Sequence, residues 1–119
     1  MGSTLAEKLL ARHAGLPQVR AGDLVVAGVT FAMVHDARAP NTIRMVEKMG
    51  AKSLPFAHQT AWVLDHFSPP PTIEAAQGHT AMRQFADQHG SVLYDIGDGI
   101  CHQVLPEGGH LTCGDLIVG

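Results

Sequence analysis

One feature constrains the fold more than any other: runs with helical spacing alternate with short apolar runs, and the links between them are brief. That order predicts parallel strands joined by helical crossovers. The first helix opens at Thr4, where Thr4 and Glu7 have capping-box spacing, and ends at Gly15 before Pro17. Leu5, Leu9 and Leu10 give it an apolar side. Asp23 to Val29 is the first strand candidate, and the apolar Phe31 to Val34 runs on into His35-Asp36. Pro40 suits the first position of a second helix, with Ile43, Val46 and Met49 on one face and Gly50 as its stop. Thr60 to Leu64 reads as a buried strand. The run Ser68-Pro69-Pro70-Pro71 after it excludes helix and sheet alike. Thr72 caps a third helix to about His89, with Ile73, Ala76, Met82, Phe85 and Ala86 facing inward and Gly90 closing it. Ser91 to Ile96, Ile100 to Leu105 and Asp115 to Val118 are the remaining strand candidates, with a turn at Gly97-Asp98-Gly99. The expectation is an α/β domain spanning residues 1–119, layered α/β/α around a largely parallel sheet.

Composition supports a packed domain and narrows the functional classes. Apolar residues make up 45% of the 119, enough for a hydrophobic core. A net charge of -3 gives no footprint for nucleic acid. No apolar run approaches the ~18 residues of a membrane span, so no membrane partner is expected. The charged N-terminus has no signal-peptide core, and the expected location is cytoplasmic. Cys101 and Cys113 are expected to be reduced. They have neither C-x-x-C spacing nor the number for a four-cysteine site, so no metal ligand is assigned.

Eight histidines are spread along the chain. In parallel sheets, ligands collect beyond the carboxyl ends of strands. Three polar pairs fall in or just after apolar runs: His35-Asp36, Asp65-His66 and His102-Gln103. Asp65-His66 is the sharpest, because a carboxylate beside an imidazole can fix its tautomer and suit it to general acid work. The plainer reading is a strand-end pair that satisfies loop backbone. For Asp36 the plain reading is a cap ahead of the Pro40 helix. For His102 it is a partly buried histidine within a strand. His13 suits the negative end of the first helix. His79 and His89 are expected at the surface of the third helix, and His58 and His110 in loops. No serine lies in a G-x-S-x-G elbow, and Gly97-Asp98-Gly99 lacks the length and lysine of a phosphate loop.

Several stretches resemble the aconitase superfamily, in that family's order. They are Thr4-Leu5-Ala6-Glu7-Lys8-Leu9-Leu10, Ala21-Gly22-Asp23, Ala32-Met33-Val34-His35-Asp36, Asp65-His66, Tyr94-Asp95-Ile96, Gly99 to Glu107, and Gly114 to Gly119. Cys101-His102-Gln103-Val104-Leu105-Pro106-Glu107 is most similar to the isopropylmalate dehydratase and homoaconitase large subunits. The resemblance implies the first part of an aconitase-type domain 1. It also implies a hydro-lyase that isomerises a small di- or tricarboxylic hydroxy acid by dehydration and rehydration, as in leucine biosynthesis. By resemblance, His66 is the acid that protonates the leaving hydroxyl, Asp65 is its partner, and His102 is a second active-site histidine. His35 and Asp36 occupy the stretch that meets a substrate carboxylate. A 4Fe–4S cluster is implied for the complete enzyme, with its cysteine ligands outside this sequence, together with a small swivelling-domain subunit. The chain alone is then expected to be inactive. Two other readings stay open: a carboxylate-binding module without catalysis, and a piece that assembles with a separate chain.

Overall fold

In the computed structural model, which describes residues 2–119, strands β1 (Phe31–His35), β2 (Thr60–Val63), β3 (Val92–Tyr94) and β4 (Ile117–Val118) form one sheet. Its order is β3-β2-β1-β4 and every pairing is parallel. Helices α1 (Leu5–Ala14), α2 (Ala39–Lys48), α3 (Ile73–His89) and α4 (Cys101–Glu107) fall between or before the strands. The chain steps outward from β1 through α2 to β2 and through α3 to β3. It then returns through α4 to β4, on the far side of β1.

Period-two alternation in β2 builds the layers. Trp62 and Leu64 face α2 and α3, where they pack with Ala39, Ile43, Met82, Phe85 and Ala86. Ala61 and Val63 face the other way, with Phe31 and Met33, against Cys101, Val104 and Leu105 of α4. Ala61, Trp62, Val63 and Leu64 are all buried, so the segment reads as a continuous apolar run in sequence although its side chains alternate between the two faces. Trp62 meets Phe85 edge to face, ring centres 5.1 Å apart. The expected α/β/α layering is thus the observed one.

The capping box of α1 is present in full: Glu7 N–H donates to the Thr4 hydroxyl at 3.2 Å, and Thr4 N–H donates to the Glu7 carboxylate at 2.7 Å. Thr72 caps α3 by accepting from Ala75 N–H, and Gly90 ends it in the left-handed region. Both His13 ring nitrogens face carbonyls, of Gly28 at 2.9 Å and Gly114 at 2.8 Å, which ties α1 to two distant stretches.

Several expectations fail. Residues 23–29 form no ladder, and Leu24 and Val26 are fully exposed, because no neighbouring strand comes alongside. Ile100 to Leu105 is not a strand; Cys101, Val104 and Leu105 lie three and four apart and form the buried stripe of α4. Gly99 starts that turn with φ 134°, and a Cβ there would lie 2.7 Å from Val104 Cγ1, so only glycine fits. Ile73, Ala76 and Met49, expected to face inward, are exposed. Asp36 does not cap α2, whose N-cap is Arg38 without a side-chain bond. His79 is buried, not at the surface.

Candidate active site

The carboxyl ends of β1 and β2 and the loop leaving β3 converge, as a parallel sheet requires. β1 delivers His35 and Asp36. Past the end of β2 the chain presents Asp65 and His66, and the β3 loop leads into Cys101 and His102 at the start of α4. Asp65, His66, Ile100, Cys101 and His102 line a cleft of about 310 Å³.

Asp65 is the hinge of the arrangement. One carboxylate oxygen lies 2.7 Å from His66 Nδ1, and the other accepts from the backbone N–H of Cys101 at 2.7 Å. Burial raises the Asp65 carboxyl, but the bonds from Cys101 and His66 outweigh it and leave it below the usual carboxylate range. Asp65 is therefore an ionised acceptor at neutral pH. The proton in the bond belongs to His66 Nδ1, and Nε2 is left free on a side chain 44% exposed.

His35 stacks on His66, ring centroids 4.0 Å apart and planes inclined by 17°. Burial depresses the basicity of His35, the nearby His66 depresses it further, and the Asp65 and Asp36 charges recover only part. Two adjacent imidazoles in one stack thus differ in character: a half-buried His35 disposed to stay neutral, and an exposed His66 joined to a carboxylate.

Asp36 does not present its carboxylate to the cleft. The side chain is 0% exposed. One oxygen accepts from His66 N–H at 3.1 Å; the other accepts from Phe67 N–H at 2.8 Å and from His79 Nε2 at 2.9 Å. The expectation that it meets substrate carboxylate conflicts with this geometry, because it lies beneath the loop that carries His66. His102 is exposed at the cleft, on a helix and not in the expected strand.

The same stretches carry a sequence relationship. The chain is 44% identical over 120 residues to a 3-isopropylmalate dehydratase large subunit 1 of Methanopyrus kandleri. It is 40% identical to the 3-isopropylmalate dehydratase large subunits of Aquifex aeolicus and of Clostridioides difficile, over 120 and 121 residues. Each alignment covers the whole of this chain and 28% of the relative. The chain is homologous throughout to 3-isopropylmalate dehydratase large subunits. It spans little more than a quarter of the length of these curated relatives. No family model matches it.

Aconitase-type dehydratase chemistry implies a 4Fe–4S cluster, and such clusters are held by cysteine thiolates. Residues 1–119 do not fit as its ligand set. Of the two cysteines, Cys101 is buried and Cys113 exposed. Burial pushes the Cys101 thiol up, and the Asp65 charge beside it pushes it further, so it is held as a thiol and not as a thiolate ligand. Two trios have donor atoms within 4.8 Å of one another: His35, Asp36 and His66, and Asp65, His66 and Cys101. Both draw on carboxylates that hydrogen bonds already occupy.

Two residues of the site and its support carry no assigned part in the sequence analysis. Cys101 gives no signal in sequence, since its part is played by its backbone N–H. His79 does give one: it lies three residues before Met82 and seven before Ala86, on the stripe of α3 that faces the sheet.

Proposed function

We propose that this chain forms part of the large subunit of a hydro-lyase acting on a small hydroxy acid, with 2- and 3-isopropylmalate as its substrates. The observation that carries this is the Asp65–His66 pair at the convergent strand ends, 2.7 Å apart, with His66 Nε2 free. In this reading a protonated His66 gives its Nε2 proton to the departing hydroxyl as the carbon–oxygen bond breaks, while a base outside these residues takes the proton of the neighbouring carbon, whose C–H electron pair closes the double bond, and water leaves. In the reverse reaction, His66 takes a proton back from water as the hydroxyl re-adds. Asp65 holds the ring with Nδ1–H inward and stabilises the imidazolium.

His102, at the rim of the same cleft, contacts the substrate hydroxyl or a carboxylate, and His35 supports a carboxylate through the stack. The similarity to chains named large subunits supports a small-subunit partner. The cluster that acts as Lewis acid in such enzymes takes its thiolates from outside these residues. Among the described residues no helix is long and apolar enough to cross a membrane; a cytoplasmic location is part of the same proposal.

The test uses the complete enzyme containing this chain, with its cluster and small subunit, under anaerobic conditions. Interconversion of 2- and 3-isopropylmalate is expected, and His66→Ala should lower kcat by about 10²–10⁴-fold, as loss of a general acid does. A complete, cluster-loaded enzyme that leaves both acids unchanged refutes the reading. A His66→Ala enzyme within about threefold of wild type refutes the assignment of the acid.

A further inference from the structure

Beneath the cleft lies a second carboxylate–imidazole pair. Asp36 and His79 come from different elements, the end of β1 and the interior of α3. They are 43 residues apart in sequence and meet at 2.9 Å. Both are buried, at 3% and 2% exposure. His79 has one partnered ring nitrogen, Nε2, while its buried Nδ1 has none. An orphaned buried lone pair is tolerated better than an orphaned N–H, so the geometry favours a neutral ring with its proton on Nε2, donated to Asp36.

The Asp36 carboxylate passes that restraint on. Its two oxygens accept from the N–H groups of His66 and Phe67, the two residues that set where the His66 ring hangs. The Ser68 hydroxyl donates to the Leu64 carbonyl at 2.7 Å and closes the same loop from the other side. The loop is therefore laid over a buried anion, and one donor from α3 fixes the position of that anion. Other charged or titratable groups bear on this pair: His35 and Arg38 beside β1, Asp65 and His66 in the loop, and Asp95 with its partner Arg83 near His79.

We infer that His79 and Asp36 are a positioning pair for the Asp65–His66 acid: His79 holds the Asp36 carboxylate, and the carboxylate holds the backbone of His66 and Phe67. His79 touches no substrate in this role. The catalytic meaning of the pair rests on the reading of His66 as the acid, but its existence does not.

Three measurements on the full chain test this. In the wild type, ring-nitrogen NMR should find the His79 proton on Nε2; a proton on Nδ1 overturns the pair. Next come His79→Leu, which fills the volume without a donor, and His79→Gln, which restores one. Hydrogen exchange is read at His66 and Phe67 relative to Leu64, whose N–H donates to the Tyr94 carbonyl at 3.0 Å and not to Asp36. In His79→Leu the protection of His66 and Phe67 should fall about tenfold or more relative to Leu64, and His79→Gln should recover most of it. Equal behaviour of the Leu and Gln chains overturns the proposal, since it makes His79 a space-filler. If His79→Leu does not fold, Asp36→Asn takes its place: loss of protection confined to His66 and Phe67 supports the pair, and unchanged protection overturns it.

In the complete enzyme, His79→Leu should lower kcat with little change in KM, and His79→Gln should restore it. A complete enzyme without hydro-lyase turnover removes the proposed function and leaves the exchange result standing. Normal turnover with unaltered exchange removes the pair and leaves the function.

Discussion

Replacing Asp65 with asparagine should reverse the tautomer of His66, and the direction follows from what each neighbour can give. In the wild type, one oxygen of Asp65 faces His66 Nδ1 and the other faces the Cys101 backbone N–H, both at 2.7 Å. Asparagine offers only one oxygen; its other arm is a donor. Cys101 N–H cannot give up its proton, whereas an imidazole can move its proton from one nitrogen to the other. The asparagine oxygen should therefore turn to Cys101. Its amide then faces Nδ1, and His66 carries its proton on Nε2. Turning the amide the other way would set two donors against each other on a side chain 4% exposed, at a cost of about 1–3 kcal/mol. That margin favours the reversed tautomer over the original by about 5- to 150-fold. Two charge-assisted bonds become neutral ones, a loss of about 1 kcal/mol each before the smaller desolvation of the neutral side chain is credited. The net change should be about 1–2 kcal/mol, or roughly 4–8 °C in Tm for a domain near this size. Ring-nitrogen NMR on the labelled chain reads the tautomer, and a thermal melt reads the stability. A folded Asp65→Asn chain that keeps the His66 proton on Nδ1 would refute the reasoning, as would a melting temperature unmoved within a degree.

Two further predictions concern groups around the site. Arg83 grips Asp95 with two bonds, of 2.7 and 2.6 Å, and holds the Asp95 carboxyl down to about 2. A depressed carboxyl stabilises the fold above its unfolded value, so this contribution should be complete above roughly pH 4 and fade as the pH falls towards about 2. With both side chains about two-fifths exposed, solvent screening reduces it to about 1 kcal/mol. Urea midpoints across that range should separate wild type from Arg83→Ala at neutral pH and converge in acid; parallel curves would contradict this. The two thiols should differ sharply: exposed Cys113 should react with a disulfide reagent at mild alkaline pH, while Cys101, buried and raised by burial and by Asp65, should wait for unfolding. Simultaneous modification of both in the folded chain would count against the packing of α4.

What sequence determined here is whatever depends on near neighbours in the chain. Capping at Thr4 and Thr72, the glycine stops at Gly15 and Gly90, and the apolar run through Trp62 are local matters of backbone satisfaction and burial, and each is legible. Parallel alternation was legible too, because helices between strands leave little else possible. The Asp65–His66 pair could be picked out because its partners are adjacent in sequence, though its second anchor, the Cys101 N–H, lies 36 residues away. The rest was decided in three dimensions. Residues 23–29 look like a strand, but a strand exists only when another comes alongside, and none does. Ile100 to Leu105 is short enough to satisfy both periods, and it became a helix because the outer face of the sheet needed the stripe of Cys101, Val104 and Leu105. Asp36 and His79 each have an ordinary reading alone. Only packing of α3 over the end of β1 brings them to 2.9 Å and turns a supposed cap and a supposed surface histidine into a buried pair. Local chemistry is written in spacing; the partner of a buried charge is chosen by which elements the core forces together.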